Sequence, residues 1–277
     1  MEFLEDIAEL ERYRPDAGEI VLIPTMGALH AGHESLVRHG AEMAKGRGAC
    51  VVWIFVNPTQ FNDPADYARY PKTLHADLAL CRRAGAQAVF APQASEIYPK
   101  DSAVRVPSLP AVATAPQLED RHRPGHFAGV CQVVLRFFEL VRPRAAVFGE
   151  KDWQQLQVVR AMTEREMPET RIEPMPTVRD PDGLAMSSRN RFLDEAERTR
   201  ALAISRALRA AADVPGVQAA EETMRRVLVE SGIEPEYAVV RDGRTLLAPA
   251  AGPKRALIAA RVGSVRLIDN AAWPAGG

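Results

Sequence analysis

Glu19-Ile20-Val21-Leu22-Ile23-Pro24-Thr25-Met26-Gly27-Ala28-Leu29-His30-Ala31-Gly32-His33 is the stretch on which the fold turns. Its first half, Glu19–Thr25, is an almost unbroken apolar run that stops at a Pro-Thr turn, so it reads as a buried strand. The period then changes. Leu36, Val37, Gly40, Ala41 and Ala44 recur at helical spacing just beyond it. Further out lie apolar runs at Ala49–Asn57, Gln87–Pro92 and Ala145–Phe148. Between them stand helical stripes at Leu74, Leu78 and Cys81, and at Val130, Val133, Val134, Phe137, Phe138 and Val141. Strands that are apolar throughout, rather than alternating, belong to parallel sheets covered on both faces. The expected class is therefore α/β: a doubly wound, Rossmann-like parallel sheet binding its ligands at the carboxyl ends of the strands.

The pattern shifts near Pro174-Met175-Pro176. Arg179-Asp180-Pro181-Asp182-Gly183 is dense in turn formers and predicts a hinge. Beyond it, Asp194–Ala212 and Val217–Ser231 read as helices, the first opened by an Asp194/Glu197 capping box and the second stopped at Gly232. Short strands are predicted at Tyr237–Arg241, Arg255–Val262 and Val265–Asp269. The expected division is 1–176, a Rossmann-like domain, and 177–277, a smaller α+β domain acting as a lid.

Composition limits the function classes. The 277 residues carry 35 basic and 36 acidic side chains, with 47% hydrophobic and 26% charged residues. A net charge of −1 gives no broad electrostatic grip on nucleic acid or an anionic membrane. Cys50, Cys81 and Cys131 are too few and too far apart for a disulfide framework or a zinc motif, and each sits in an apolar stretch. The first fifteen residues, MEFLEDIAELERYRP, lack the basic start and apolar core of a signal peptide. No apolar run nears the roughly 20 residues that span a bilayer. The expectation is a cytoplasmic protein.

Chemistry concentrates after the strands. In Pro24–His33, Gly27 lets the backbone come close to a ligand, and Gly32 leaves room at the helix mouth. Free amides and the helix dipole at that mouth favour phosphate. His30 and His33, three apart, share a helical face and suit donation to phosphate oxygens. An HxxH pair also suits a metal, although no third ligand stands at suitable spacing, and such a pair also arises by chance. Phe55-Val56-Asn57-Pro58-Thr59-Gln60-Phe61 brings neutral Asn57 and Gln60 to a strand end, as a recognition element or as a plain polar turn. Phe148-Gly149-Glu150-Lys151-Asp152-Trp153-Gln154-Gln155 places an ammonium near a helix start, a pattern shared with many solvated helix starts. Leu184-Ala185-Met186-Ser187-Ser188-Arg189-Asn190 offers two hydroxyls and a guanidinium, as an anion cradle or as a cap for the next helix. His39, His75 and His122 have no such context and are expected at the surface or in structural roles.

The HxGH string after a first strand resembles the nucleotidyltransferase-like superfamily. The fuller PTMGALHAGH, together with the VNPxQF, RPGHF, FGEKDxQQ and SSRN strings in order, resembles the pantothenate synthetase family from about Pro24 to Asn190, with a weaker echo in Arg266-Leu267-Ile268-Asp269-Asn270. That resemblance implies an ATP-dependent ligase that activates pantoate as an acyl-adenylate and passes it to β-alanine, releasing AMP and pyrophosphate. It implies an ATP site at Met26, Gly27, Ala28, Leu29, His30, Ala31, Gly32, His33, Gly149, Glu150, Lys151, Asp152, Val178, Met186, Ser187, Ser188 and Arg189. It implies pantoate and β-alanine contacts at Asn57, Gln60, Tyr70 and Gln155. His33 is the expected main donor, with His30 and Lys151 beside it in the catalytic set. Mg2+ is expected to be held mainly through the ATP phosphates, and the family's usual state implies a homodimer. The RPGHF string, with Arg123 and His126, is expected to be an element of the pocket, with no direct role assigned.

The chain departs from the family pattern at Glu34, Asp120, Gln132, Arg136 and Arg144, none of them at a residue assigned to chemistry. A nucleotidyltransferase or stripped synthetase with the same HxGH chemistry is disfavoured by the balanced charge and by the Gln60/Gln155 pair. A non-catalytic ATP sensor has no use for those glutamines beside His33 and Lys151.

Overall fold

The computed structural model describes residues 1–14, 18–62, 64–100 and 103–274. Along the chain it has β1 (Glu2–Leu4), α1 (Ile7–Tyr13), β2 (Glu19–Thr25), α2 (Ala31–Ala44), β3 (Gly48–Ile54), α3 (Pro64–Arg69), α4 (Leu74–Ala84), β4 (Ala88–Phe90), α5 (Ala94–Ile97), α6 (Glu119–His122), α7 (His126–Val141), β5 (Ala145–Gly149), α8 (Trp153–Glu166), β6 (Arg171–Met175), α9 (Glu195–Ala211), α10 (Val217–Glu230), β7 (Pro235–Asp242), β8 (Lys254–Val262) and β9 (Val265–Trp273). The chain divides into two compact units. One is Met1–Glu150 with Val158–Met175; the other is Lys151–Gln157 with the chain from Pro176 onward.

The first unit carries a six-stranded sheet in the order β1-β4-β3-β2-β5-β6, with every pairing parallel. The expected α/β class is the one found. β2 and β3 are buried along almost their whole length, which is why neither sequence alternates. One face packs Ile23, Val52 and Val89 against Leu36 and Val37 of α2 and Cys81 of α4. On α7, Phe137 stacks on Trp53 of β3 at 3.5 Å between ring centroids and meets Phe90 edge-on. On the α2 face, Gly40 lets the helix lie close to β2 and β3, since a Cβ would stand 2.5 Å from Ile23 Cδ1 and 3.2 Å from Cys50 Sγ.

Three local readings are corrected. β1 lies in an N-terminus to which the sequence reading assigned no strand; its three residues gain their structure by pairing with β4. β6 was also missed, because Pro174 interrupts it; as an edge strand it tolerates the lost donor. In α4 the buried face is Asp77, Leu80, Cys81 and Ala84; Leu78 is only partly buried, and Leu74 is exposed.

The second unit has an antiparallel sheet, β7-β8-β9. Ala201, Ile204 and Leu208 of α9 and Met224 and Leu228 of α10 share its core with Val240, Ile258 and Leu267. The Asp194/Glu197 capping box is formed in both directions, at 2.7 and 3.1 Å. The turn at Asp180–Gly183 closes with Gly183 N–H on the Asp180 carbonyl (2.8 Å). Arg198 of α9 holds it through Asp180 (2.8 Å) and Asp182 (3.0 Å), so the turn is fastened within its own unit.

Candidate active site

Sheet order locates the crevice in the first unit. From β2 the chain builds outward to β3 and β4, then returns to add β5 and β6 on the other side. The reversal lies between β2 and β5, whose pairing is Val21 with Ala145 and Leu22 with Ala146. In an open α/β sheet, ligands bind outside the carboxyl ends of the strands at this point. The 26–33 segment leaves the carboxyl end of β2, and Gly149 ends β5, followed by a 3₁₀ turn over Glu150–Asp152. A Cβ at Gly149 would meet no atom within 4 Å.

The loop after β2 is held in an unusual conformation. Gly27 and Ala28 both take left-handed backbone angles, φ +78 and +52. For Ala28 this is strained, so something must hold it. The holder is Asp77, buried on α4. Its carboxyl oxygens accept Ala28 N–H at 3.0 Å and Leu29 N–H at 2.8 Å, and the Thr73 hydroxyl donates to it at 3.1 Å. A side chain at Gly27 would press on Asp77 Oδ2 at 3.1 Å. Gly27 N–H itself is taken by Thr25 Oγ1, at 3.3 Å. The amides of Gly27, Ala28 and Leu29 are therefore spent inside the protein. Asp77 was missed because it sits on an otherwise apolar helical stripe, and that misfit is the signal that points to it.

The two histidines close the helix mouth. His30 is the N-cap of α2, and its Nδ1 accepts Gly32 N–H at 3.2 Å. His33, at the third helical position, accepts His30 N–H on its own Nδ1 at 3.3 Å. The rings lie 4.1 Å apart, tilted by 44°. A neutral imidazole that accepts on Nδ1 carries its proton on Nε2. In the neutral form both rings therefore carry that proton on Nε2. Ala31 and Gly32 open α2 beside them.

Asn57 caps a short 3₁₀ turn, Pro58–Gln60, that ends on Gln60, and both side chains are buried. Asn57 Nδ2 donates to Gln60 Oε1 and to the Gly129 carbonyl, each at 3.1 Å. Gln60 Nε2 reaches Met26 Sδ at 3.0 Å, bringing this turn to the loop after β2. The Tyr98 hydroxyl donates to Asn57 Oδ1 at 2.8 Å, and burial pushes that phenol above its ordinary pKa. His126, in the RPGHF string, gains a role here. Its Nδ1 lies 2.9 Å from the Gln60 carbonyl, which can only accept, so Nδ1–H donates and fixes the turn. Gly129, one helical turn on, lets α7 touch the turn; a Cβ there would collide with the Thr59 carbonyl oxygen. Tyr70 is buried and meets Phe61 edge-on at 5.7 Å.

The remaining groups belong to the second unit. Lys151 Nζ lies 3.7 Å from Asp152 Oδ2, and Gln155 stands in the first turn of α8. Val178 and Met186 face each other across a narrow loop, Met186 N–H donating to the Val178 carbonyl at 3.0 Å. Arg179 bridges to Ala185 in the same loop. Ser187 caps the 3₁₀ turn Ser188–Phe192, its oxygen accepting Arg189 N–H at 3.3 Å. The next helix, α9, is capped by Asp194 and not by this loop.

The departures from the family pattern have local partners in most cases. Glu34 pairs with Arg38 one turn on, at 2.6 Å. Asp120 accepts Gln117 N–H (3.0 Å) and Leu118 N–H (2.9 Å). Gln132 donates to the Val104 carbonyl at 2.8 Å, and Arg144 to that of Glu169 at 3.4 Å. Nothing in the structure explains Arg136, whose Nε is buried without a hydrogen bond.

Comparison with known proteins agrees with this architecture. The family model described as pantoate-beta-alanine ligase matches residues 2–272. A pantothenate synthetase from Mycolicibacterium smegmatis is 47% identical over 98% of this chain and 86% of its own length. One from Salinispora arenicola is 45% identical, over 97% and 96%. The crystal structure of pantothenate synthetase from Thermus thermophilus is similar at a TM-score of 0.90 and 39% identity, covering 98% of this chain and 99% of that one. That of pantoate-beta-alanine ligase from Francisella tularensis, complexed with beta-gamma ATP and beta-alanine, is similar at 0.81 and 31%, covering 98% and 97%.

Proposed function

This chain belongs to the pantoate-beta-alanine ligase family, and we propose that it joins pantoate to β-alanine at the expense of ATP by way of pantoyl adenylate. The observation that carries this reading is the placement of the HxGH loop and Gly149 at the carboxyl ends of the two strands that flank the sheet's point of reversal.

A carboxylate does not acylate an amine at neutral pH, because oxide is a poor leaving group. In the first step the pantoate carboxylate attacks the α-phosphorus of ATP, the bond to the bridging oxygen breaks, and pyrophosphate leaves with its electron pair. No protein nucleophile takes part, so catalysis rests on positioning and on stabilising charge. The Nε2–H groups of His30 and His33 donate to phosphate oxygens, and Lys151, Ser187, Ser188 and Arg189 spread the charge of the departing pyrophosphate. Gln60, held by Asn57, contacts pantoate, and Gln155 and Tyr70 are further substrate contacts. In the second step the free amine of β-alanine attacks the acyl carbon. AMP leaves and the amine proton passes to solvent, giving pantothenate.

Mg2+, when bound, would be held mainly through the ATP phosphates. Among the described residues no cluster of three or more His, Cys, Asp or Glu side chains offers a ligand set, and Mg2+ readily keeps water as ligand. When bound it neutralises phosphate charge. The working form is a cytoplasmic homodimer; among the described residues no helix is long and apolar enough to cross a membrane. The region from 177 onward, read as a lid, protects the anhydride from water.

The test is AMP formation from ATP with purified protein. AMP and pantothenate are expected in equal amounts only when pantoate and β-alanine are both supplied. AMP release that ignores pantoate would refute the reading.

A further inference from the structure

Asp269 and Asn270 close the Arg266–Asn270 string in β9, more than a hundred residues beyond the GEKD turn, and both are almost fully buried, at 4% and 3% exposure. Burying a carboxylate and an amide is costly unless each is paired. The partners are specific. Asp269 grips Arg179 at two points, Oδ2 accepting from Nη1 at 2.6 Å and Oδ1 from Nη2 at 3.0 Å. Asn270 Nδ2 donates to the Lys151 carbonyl at 2.8 Å, and its Oδ1 accepts Arg255 Nε–H at 2.6 Å. The Arg255 guanidinium lies 3.7 Å over the Trp153 ring, and Trp153 Nε1–H donates to the Gly243 carbonyl at 2.8 Å.

Two separate ATP-binding segments are thereby fastened to one dipeptide. Lys151 is tied directly. Arg179 adjoins Val178 and bridges to Ala185, so the Asp269 grip holds the base of the loop that runs into Ser187, Ser188 and Arg189. From this geometry we infer that Asp269 and Asn270 are positioning residues for adenylation, setting the ammonium of Lys151 and the 178–189 loop in one frame. The inference rests on the ligase reading above. Neither residue touches substrate. They act from a strand paired along nine residues of β8, and a strand holds a site more exactly than a loop does.

Asn270→Asp is the sharpest variant. It keeps an acceptor for Arg255 and replaces the amide donor to the Lys151 carbonyl with a carboxylate oxygen, which also adds a buried charge. Pantoate-dependent pyrophosphate release is expected to slow by about 10-fold or more, given that a displacement near 1 Å costs on the order of 10²-fold. The same change made in a Lys151→Ala background is expected to slow release by less than about twofold, because residues that act through one another are not additive. Equal losses in both backgrounds, or a single variant within about twofold of the unaltered protein, would overturn the inference. If Asn270→Asp does not fold, Asn270→Ser goes through the same cycle. Amide hydrogen exchange reads the tether without any catalysis: Asn270→Asp should quicken exchange at 151–153, and Asp269→Asn at 178–186. No change in either segment also overturns the inference. An unaltered protein that makes no AMP while these exchange changes appear sinks the ligase reading and leaves the tether standing.

Discussion

At the scale of single residues, a few buried polar groups decide what the site can do. Asp77 holds two backbone amides that its loop conformation would otherwise leave unpaired. Asp77→Ala should therefore lower stability by about 3 kcal/mol in urea unfolding, at roughly 1–3 kcal/mol for each orphaned buried amide, and should cut turnover about 10²-fold as the imidazoles drift. A variant that unfolds more easily but turns over normally would show that the loop resets without its anchor. His33→Ala should behave differently, with turnover falling by about 10²-fold while ATP affinity stays within a few-fold, since its contact strengthens as charge builds on phosphate; single-turnover and binding measurements separate the two. The cysteines give a pH prediction. Burial pushes the thiols of Cys50, Cys81 and Cys131 up to about 12. A raised folded-state pKa means that the native protein keeps protons the unfolded chain gives up. The stability these thiols contribute is complete below about pH 9 and is lost as pH rises toward 12, by about 1.4 kcal/mol per thiol for each unit. Urea midpoints at pH 8 and pH 10 check the sign. The same thiols should resist a thiol reagent at pH 8 until urea is added.

At the scale of elements, close approach and capping matter most. Gly129 allows α7 to lie on the Pro58–Gln60 turn, with no room for a Cβ against the Thr59 carbonyl. Gly129→Ala should push that turn away from α7, raise KM for pantoate about 10-fold, and cost about 1–3 kcal/mol from overpacking. Steady-state kinetics with pantoate varied at saturating ATP read the effect. At the other extreme, Asp194→Ala removes the α9 cap at a cost of about 1 kcal/mol and should leave turnover unchanged.

At the scale of the whole molecule, much was legible in the sequence, and the remainder has a common physical cause. β2, β3 and β5 announced themselves because strands buried on both faces must be apolar at every position, and amphipathic helices between them wrote their period plainly. The motifs stood where strands end, so their order along the chain marked the carboxyl edge of the sheet. α9 and its capping box were equally visible, since both are local interactions. By itself, then, the sequence determined the α/β class, the helices and central strands, the family resemblance and the chemical types at the site. Only the tertiary structure decided that β1 and β6 are strands, that Asp77 rather than solvent or ligand takes the loop amides, that His126 and Gly129 brace Gln60, and that Asp269 and Asn270 reach Lys151 and Arg179. Each of these depends on partners distant along the chain. The hydrogen bond that satisfies a buried polar group is formed across space, and a one-dimensional pattern records the group but not the atom that answers it.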